Sequence, residues 1–156
     1  MFDWKDFLEL ARYLNNRAAQ TNVEKASKRS AVSRAYYAAY CFLRDYAEKN
    51  LSFSPQHTSD DHYLLVKYLL DLLDAIPNEY GGFKEQLHDI ADTLQDLRVY
   101  RNKCDYDADV ENLDFLAAVS IANAERVFSN IGSFEESVDY NKIKAFIQKW
   151  GKSVSE

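Results

Sequence analysis

Apolar residues recur three and four positions apart along most of the chain, the spacing that gathers them on one face of an α-helix. Phe7, Leu10, Ala11, Leu14 and Ala18 mark a first helix from Trp4 to Ala19, with Asp3 placed to cap it. A second, from Val23 to Lys49, carries small residues at Ala31, Ala35, Ala38 and Ala39 that admit a close neighbour, and Tyr36, Phe42, Leu43 and Tyr46 that fill the remaining space. "LSFSPQHTSD" reads as a loop, because Pro55 disfavours a helix interior. Leu64, Leu65, Tyr68, Leu69, Leu72 and Leu73 predict a third helix from Asp61 to Ala75, stopped by "IPNEYGG". A fourth is expected from Phe83 to Asn102 and a fifth from Asp109 to Phe128, with Asn130 and Gly132 as its break. A short sixth, from Glu136 to Trp150, presents Val138, Ile143, Phe146, Ile147 and Trp150, and residues 151–156 are expected to fray. The prediction is an all-α, up-and-down bundle of about five helices plus a short C-terminal helix, in one domain over residues 1–150.

Composition supports that reading and narrows the chemistry. The 156 residues are 47% apolar, enough for a sizeable core, and hold only four glycines and two prolines to interrupt helices. Acids outnumber bases by 25 to 19, a formal charge of -6, so long-range attraction to nucleic acid or to an anionic membrane is not the default. Any recognition of RNA has to come from local geometry. Cys41 and Cys104 fit neither a zinc spacing nor a disulfide framework and read as reduced thiols of a cytoplasmic protein. "MFDWKDFLEL" has acids where a secretion signal needs bases, and no apolar run reaches the length of about 18 residues that spans a bilayer.

The chemistry-bearing stretch is "RNKCDYD", residues 101–107. On a helix, Arg98 shares a face with Arg101 and Asn102, and Arg101 with Asp105. That groups guanidinium, carboxamide and carboxylate in a cluster able either to fork onto a phosphate or to tie two helices together. Asp96, Asp105, Asp107, Asp109 and Glu111 surround the arginines and favour internal neutralisation, while acids at the start of the fifth helix suit its positive end. "SRAYY", residues 33–37, sets Arg34 three residues from Tyr37, and Lys25, Lys28 and Arg29 add positive charge nearby, either as a shallow phosphate path or as a solvated face. His57 and His62 with Asp60 and Asp61 lack the order of a zinc motif, so no metal and no other cofactor are expected. There is no glycine-rich phosphate loop and no nucleophile elbow.

"FDWKDFLELARYL", "KRSAVSRAYYAAYCFLRDY", a histidine-bearing loop and "LRVYRNKCDYD", in that order, resemble the small HEPN-domain proteins of prokaryotes over about residues 2–130. The resemblance implies a helical homodimer that brings two polar corners together. It also implies a place in a toxin–antitoxin or phage-defence system, sometimes beside a small nucleotidyltransferase. Many members are metal-independent endoribonucleases whose signature is arginine, a polar residue, three further residues, then histidine. Arg101 and Asn102 match its first two positions, and Tyr106 stands where the histidine belongs. Histidine serves 2'-hydroxyl attack as acid and base because its pKa lies near neutrality, whereas a tyrosine near 10 is a poor base. By resemblance, Arg101, Asn102 and Tyr106 are the candidate catalytic set, Arg34, Arg98 and Arg101 the candidate RNA contacts, and Tyr106 a candidate for nucleotidyl modification. Three readings stand: a noncatalytic RNA-binding or partner-regulated scaffold, an endoribonuclease with Arg101 and Asn102 at the phosphate, and a helical protein-interaction domain with no nucleic-acid role.

Overall fold

The computed structural model describes residues 1–155, and its elements follow the helical spacing of the sequence. They are α1 (Lys5–Arg17), α2 (Glu24–Asn50), α3 (Asp61–Ala75), α4 (Gly81–Tyr106), α5 (Leu113–Glu135) and α6 (Tyr140–Val154), with short 3₁₀ turns at Ala18–Gln20 and Asn78–Tyr80. Among the described residues there is no strand, and the protein is an all-α helical bundle. The chain packs as two compact units, each built from two separate segments. The first comprises Met1–Phe42 and Thr93–Phe128, the second Leu43–Asp92 and Ser129–Glu156.

Several helix ends differ from the sequence expectation, each for a physical reason. α1 stops at Arg17 and tightens into the Ala18–Gln20 turn, while at its start the Asp3 carboxylate accepts the Lys5 backbone N–H at 3.0 Å. α4 continues past Asn102 to Tyr106, which keeps Arg101 and Asp105 in helical register. α5 begins at Leu113 rather than Asp109, after Asn112 adopts a left-handed φ of 55°. Asp107, Asp109 and Glu111 therefore belong to the connecting loop, and only Asp114 lies in the first turn. Asn130 and Gly132 do not end α5. Burial of Val127, Ile131 and Phe134 on one face outweighs the cost of about 1 kcal/mol for a helical glycine. Asn130 also donates to Asp89 at 2.7 Å. α6 runs through Val154, beyond the expected end at Trp150; Glu156 of the expected loose tail lies outside the described residues.

The first unit packs α1 with parts of α2, α4 and α5. Ala31, Ala35, Ala38 and Ala39 are fully buried, as the small-residue stripe on α2 required. Val32, Cys104, Leu116 and Ala117 form a buried cluster joined by Tyr100, Val110 and Leu113, which seats the end of α4 beside the start of α5. The second unit is built on Leu65, Leu69 and Leu72 of α3 and Ile143 and Ile147 of α6, with aromatic contacts from Phe83 to Phe134 (4.1 Å) and from Tyr68 to Phe53 and Trp150 (5.4 Å each). α6 comes close at Gly151, where a methyl group would stand 2.5 Å from Cβ of Ser52.

A buried carboxylate organises the loop before α3. Asp61 is 2% exposed and accepts the backbone N–H groups of Gln56 and His57, each at 2.8 Å. Burial alone would raise its pKa, but the backbone donors of Gln56, His57 and Thr58 and the nearby His57 charge outweigh it, and the net shift is downward. A lowered folded pKa means that the stabilisation is complete above the unfolded carboxylate value of about 3.9 and disappears as pH falls through the folded one. Asp61→Asn is expected to lower the melting temperature by about 3 °C at pH 7. The gap from wild type should close in strongly acidic buffer, and calorimetry showing the same gap at both extremes of pH would contradict this assignment.

Candidate functional site: an enclosed arginine corner

The corner is assembled from one face of α2 and the last two turns of α4, all within the first unit. Arg29, Ser33 and Tyr37 recur every four residues on α2, and Arg101 and Asp105 are four apart on α4. The two stripes face each other, so each group on one helix finds its partner on the other.

Arg101 is the hub. Its Nη2 donates to the Tyr37 hydroxyl at 2.6 Å and its Nη1 to the Asn102 side-chain oxygen at 2.9 Å. Its Nε is buried and lies 3.0 Å from Asp105 Oδ2, an ion-pair distance without hydrogen-bond alignment. Ser33 Oγ donates to the same carboxylate oxygen at 3.4 Å. The guanidinium also sits against three rings, with its carbon 5.2 Å from the centre of Tyr37, 5.6 Å from Tyr106 and 5.7 Å from Tyr36. Only 16% of its side chain is exposed.

Arg34 joins the cluster from its edge, stacked over Phe7 at 5.1 Å and Tyr37 at 5.7 Å. Guanidinium and aromatic groups thus alternate from α1 through α2 to α4. Burial pushes the Tyr36 phenol well above its ordinary pKa, with Arg98 and Arg101 pulling the other way, so Tyr36 stays neutral and is no base near neutral pH. Tyr106 is the open ring, 73% exposed.

Arg29 closes the far end. Its guanidinium donates to the backbone carbonyls of Cys104 (3.2 Å), Asp107 (2.7 Å) and Ala108 (2.8 Å), oxygens that the end of α4 leaves without helical donors. Burial raises the Cys104 thiol, only partly offset by the Arg29 charge, so that cysteine is not a reactive thiolate. Lys28 is bound to Glu24 at 2.6 Å and Asp114 at 2.5 Å. Lys28 and Arg29 are thus both engaged inside the chain, and with Lys25 they line a surface cavity of about 640 Å³ that they share with the acids Glu24, Asp109, Glu111 and Asp114.

The structure brings Arg101, Asn102 and Tyr106 together, as their adjacency suggested, and links Arg34 to them through Tyr37. Arg98 is half-buried, and its charge acts on Tyr36 at the edge of the cluster. His57, His62 and His88 all belong to the second unit, so none is a member of the corner's own unit. Among the described residues no group of three or more histidine, cysteine or carboxylate side chains is placed to hold a metal ion. Sequence reasoning did not assign Tyr37, Ser33 or Arg29 to the corner. Their four-residue recurrence on α2 is the signal that marks them.

The site defines a class in structural terms: a helical bundle with an arginine enclosed by tyrosines, a carboxamide and a carboxylate. No family model and no solved structure matches the chain. It is 29% identical over 113 residues to the uncharacterized protein MJ0628 of Methanocaldococcus jannaschii, covering 69% of this chain and 64% of that protein. It is 29% identical over 153 residues to the uncharacterized protein MJ0992 of the same organism, covering 92% of this chain and 83% of that one. Among the described residues no helix is long and apolar enough to cross a membrane.

Proposed function

We propose that the chain is a HEPN-like helical interaction module of the cytoplasm, acting through protein partners and without catalysis of its own. The observation that carries this reading is the engagement of Arg101. Both of its terminal nitrogens donate within the chain, Asp105 lies beside Nε, and its side chain is 16% exposed. A guanidinium that has to orient a scissile phosphate needs donors aimed outward. Here Nη2 ties α4 to Tyr37 of α2, while Nη1 and Nε are engaged by Asn102 and Asp105 of α4 itself. Nuclease chemistry also needs a proton carrier tuned near neutrality, and the first unit contains no histidine.

The resemblance to HEPN proteins supplies the setting, a toxin–antitoxin or phage-defence complex whose partner is a second copy or a small nucleotidyltransferase. The RNA-scaffold alternative rests on Arg34 and Arg98, which remain half-exposed at the corner's edge. One experiment separates the three readings: the purified protein is incubated with mixed structured and single-stranded RNA in excess chelator, and binding is followed over a salt series. The expected result is intact RNA and no salt-sensitive complex. Cleavage that survives the chelator would establish the endoribonuclease, and salt-dependent binding lost in Arg98→Ala would establish the RNA scaffold.

A further inference from the structure

α6 is a lysine helix on an acidic chain. It carries Lys142, Lys144, Lys149 and Lys152 and no carboxylate, so all 25 acids of the sequence lie outside it. Ile143, Ile147 and Gly151 are buried on one side, while Lys142, Ala145, Lys149 and Lys152, all exposed, fall within about 80° of one another on the opposite side. Lys144 lies at the edge of the buried side, over the Tyr140 ring at 5.2 Å and donating to Asn50 at 3.3 Å. Elsewhere the chain interleaves its charges, as in the pairs of Lys28 with Glu24 and Lys67 with Asp71. Among the described residues Lys142, Lys149 and Lys152 make no ion pair or hydrogen bond, and Asp139, the acid nearest to Lys142 in sequence, does not reach it. Lys152 suits the negative end of the helix. Lys142 stands in the first turn, at the positive end, where a cation is disfavoured and nothing in the chain offsets it.

The carboxyl end of this face opens on a cavity of about 880 Å³, lined by Gln148 and Lys152 of α6, Glu48 of α2, Ser52 and Ser54 of the segment after α2, and Ser155. The Ser155 hydroxyl donates to the Gly151 carbonyl at 2.8 Å, whereas those of Ser52 and Ser54 make no hydrogen bond among the described residues. Ser52 keeps its side chain at a left-handed φ of 60°, a conformation that glycine adopts without strain. Ammonium, carboxamide and free hydroxyl groups together supply the donors that an oxyanion requires, and Glu48 is the one acid of the lining. On the interaction-module reading given above, we propose that this face of α6 docks an acidic segment of a protein partner, with one of its carboxylates seated in the cavity at Lys152, Gln148 and Ser52. From Lys142 to Lys152 the face extends about 15 Å. Its chemistry favours carboxylates over other polyanions. No arginine offers a fork to phosphate, and the rings of Phe146 and Trp150 are half-buried, Trp150 against Tyr68 at 5.4 Å, so no platform is presented to bases. The apolar side of α6 is buried and not offered to a lipid surface. The acids on the other elements repel an acidic segment there, so the lysines decide where it lands.

Fluorescence anisotropy of a labelled glutamate-rich peptide of about 20 residues, titrated with the full chain over a salt series, tests the docking. Wild-type protein should bind it at low salt and release it as salt rises. Lys149→Glu and Lys152→Glu should each weaken binding by about tenfold or more, and Glu48→Gln should tighten it by about twofold. Lys25→Glu makes the same change of charge at an exposed, unpaired lysine of α2 and should leave binding nearly unchanged. All four positions are exposed, and unchanged circular dichroism spectra would establish that every variant is folded. Absence of binding at low salt would overturn the proposal, as would a loss in Lys25→Glu equal to that in Lys149→Glu, which would mean adhesion by net charge alone. An affinity unmoved in Glu48→Gln would overturn the seat in the cavity. Single-stranded RNA or anionic vesicles held through the same lysines at least as tightly as the peptide would overturn the protein occupant. Cleavage of RNA by the wild type would instead refute the noncatalytic reading and leave the peptide result standing.

Discussion

Replacing Arg29 with alanine is expected to lower stability by about 3 kcal/mol and to loosen the end of α4. The side chain holds three backbone carbonyls at 2.7–3.2 Å, from Cys104, Asp107 and Ala108, where the helix itself supplies no further donors. Bonds to a charged donor contribute about 1.5–3 kcal/mol each, but the exposed carbonyls regain water when the guanidinium is lost, so the sum is well below three full bonds. Urea unfolding should show a lower midpoint at unchanged slope, and amide exchange should rise around residues 103–108. Arg29→Lys should recover only a minor part, because a single ammonium cannot bridge three separated oxygens as a planar fork does. A loss in Arg29→Ala no larger than a few tenths of a kcal/mol would mean that the loop holds itself.

Arg101→Ala is expected to be comparably damaging, by about 3 kcal/mol, since it leaves a partly enclosed Asp105 without its counter-charge and removes a support from the Tyr37 hydroxyl. Arg101→Lys keeps the charge beside Asp105 and should retain about half of the stability. Tyr37→Phe should cost about 1 kcal/mol alone and much less in an Arg101→Ala background, since the bond it removes is already gone. That non-additivity is the decisive measurement. Additive losses would show that the 2.6 Å contact contributes nothing, and an arginine poised for phosphate would leave stability almost unchanged when removed.

The same corner shows which parts of the molecule are written locally and which are not. α3 runs from Asp61 to Ala75 as its apolar repeat predicts, because Pro55 and the "IPNEYGG" segment isolate a strong periodic stretch. The ends of α4 and α5 are set by distant partners. Arg29 meets its three carbonyls across 75 to 79 residues of chain, so nothing near residue 106 states that the helix should persist that far. Asn130 and Gly132 looked like a stop on propensity alone, yet burial of Ile131 and Phe134 carries α5 past both.

The candidate site was legible to the same degree. Arg101, Asn102 and Tyr106 announce themselves by proximity in sequence, and the helix does gather them. What the corner does with its charge depends on Tyr37, 64 positions away. Sequence spacing alone allowed the guanidinium a phosphate or a helix contact, and the acids around it leaned towards internal neutralisation. The side-chain bonds favour the latter.

An enclosure of this kind also restricts inheritance. Tyr37 accepts from Arg101, Arg101 offsets Asp105, and Asp105 is touched by Ser33. A mutation at any one of these four positions strands a polar group that another was satisfying, so single replacements are selected against while matched ones survive. Descendants of this sequence should therefore alter positions 33, 37, 101 and 105 as a linked set, and drift freely at the exposed ring of Tyr106 unless a partner holds that position fixed.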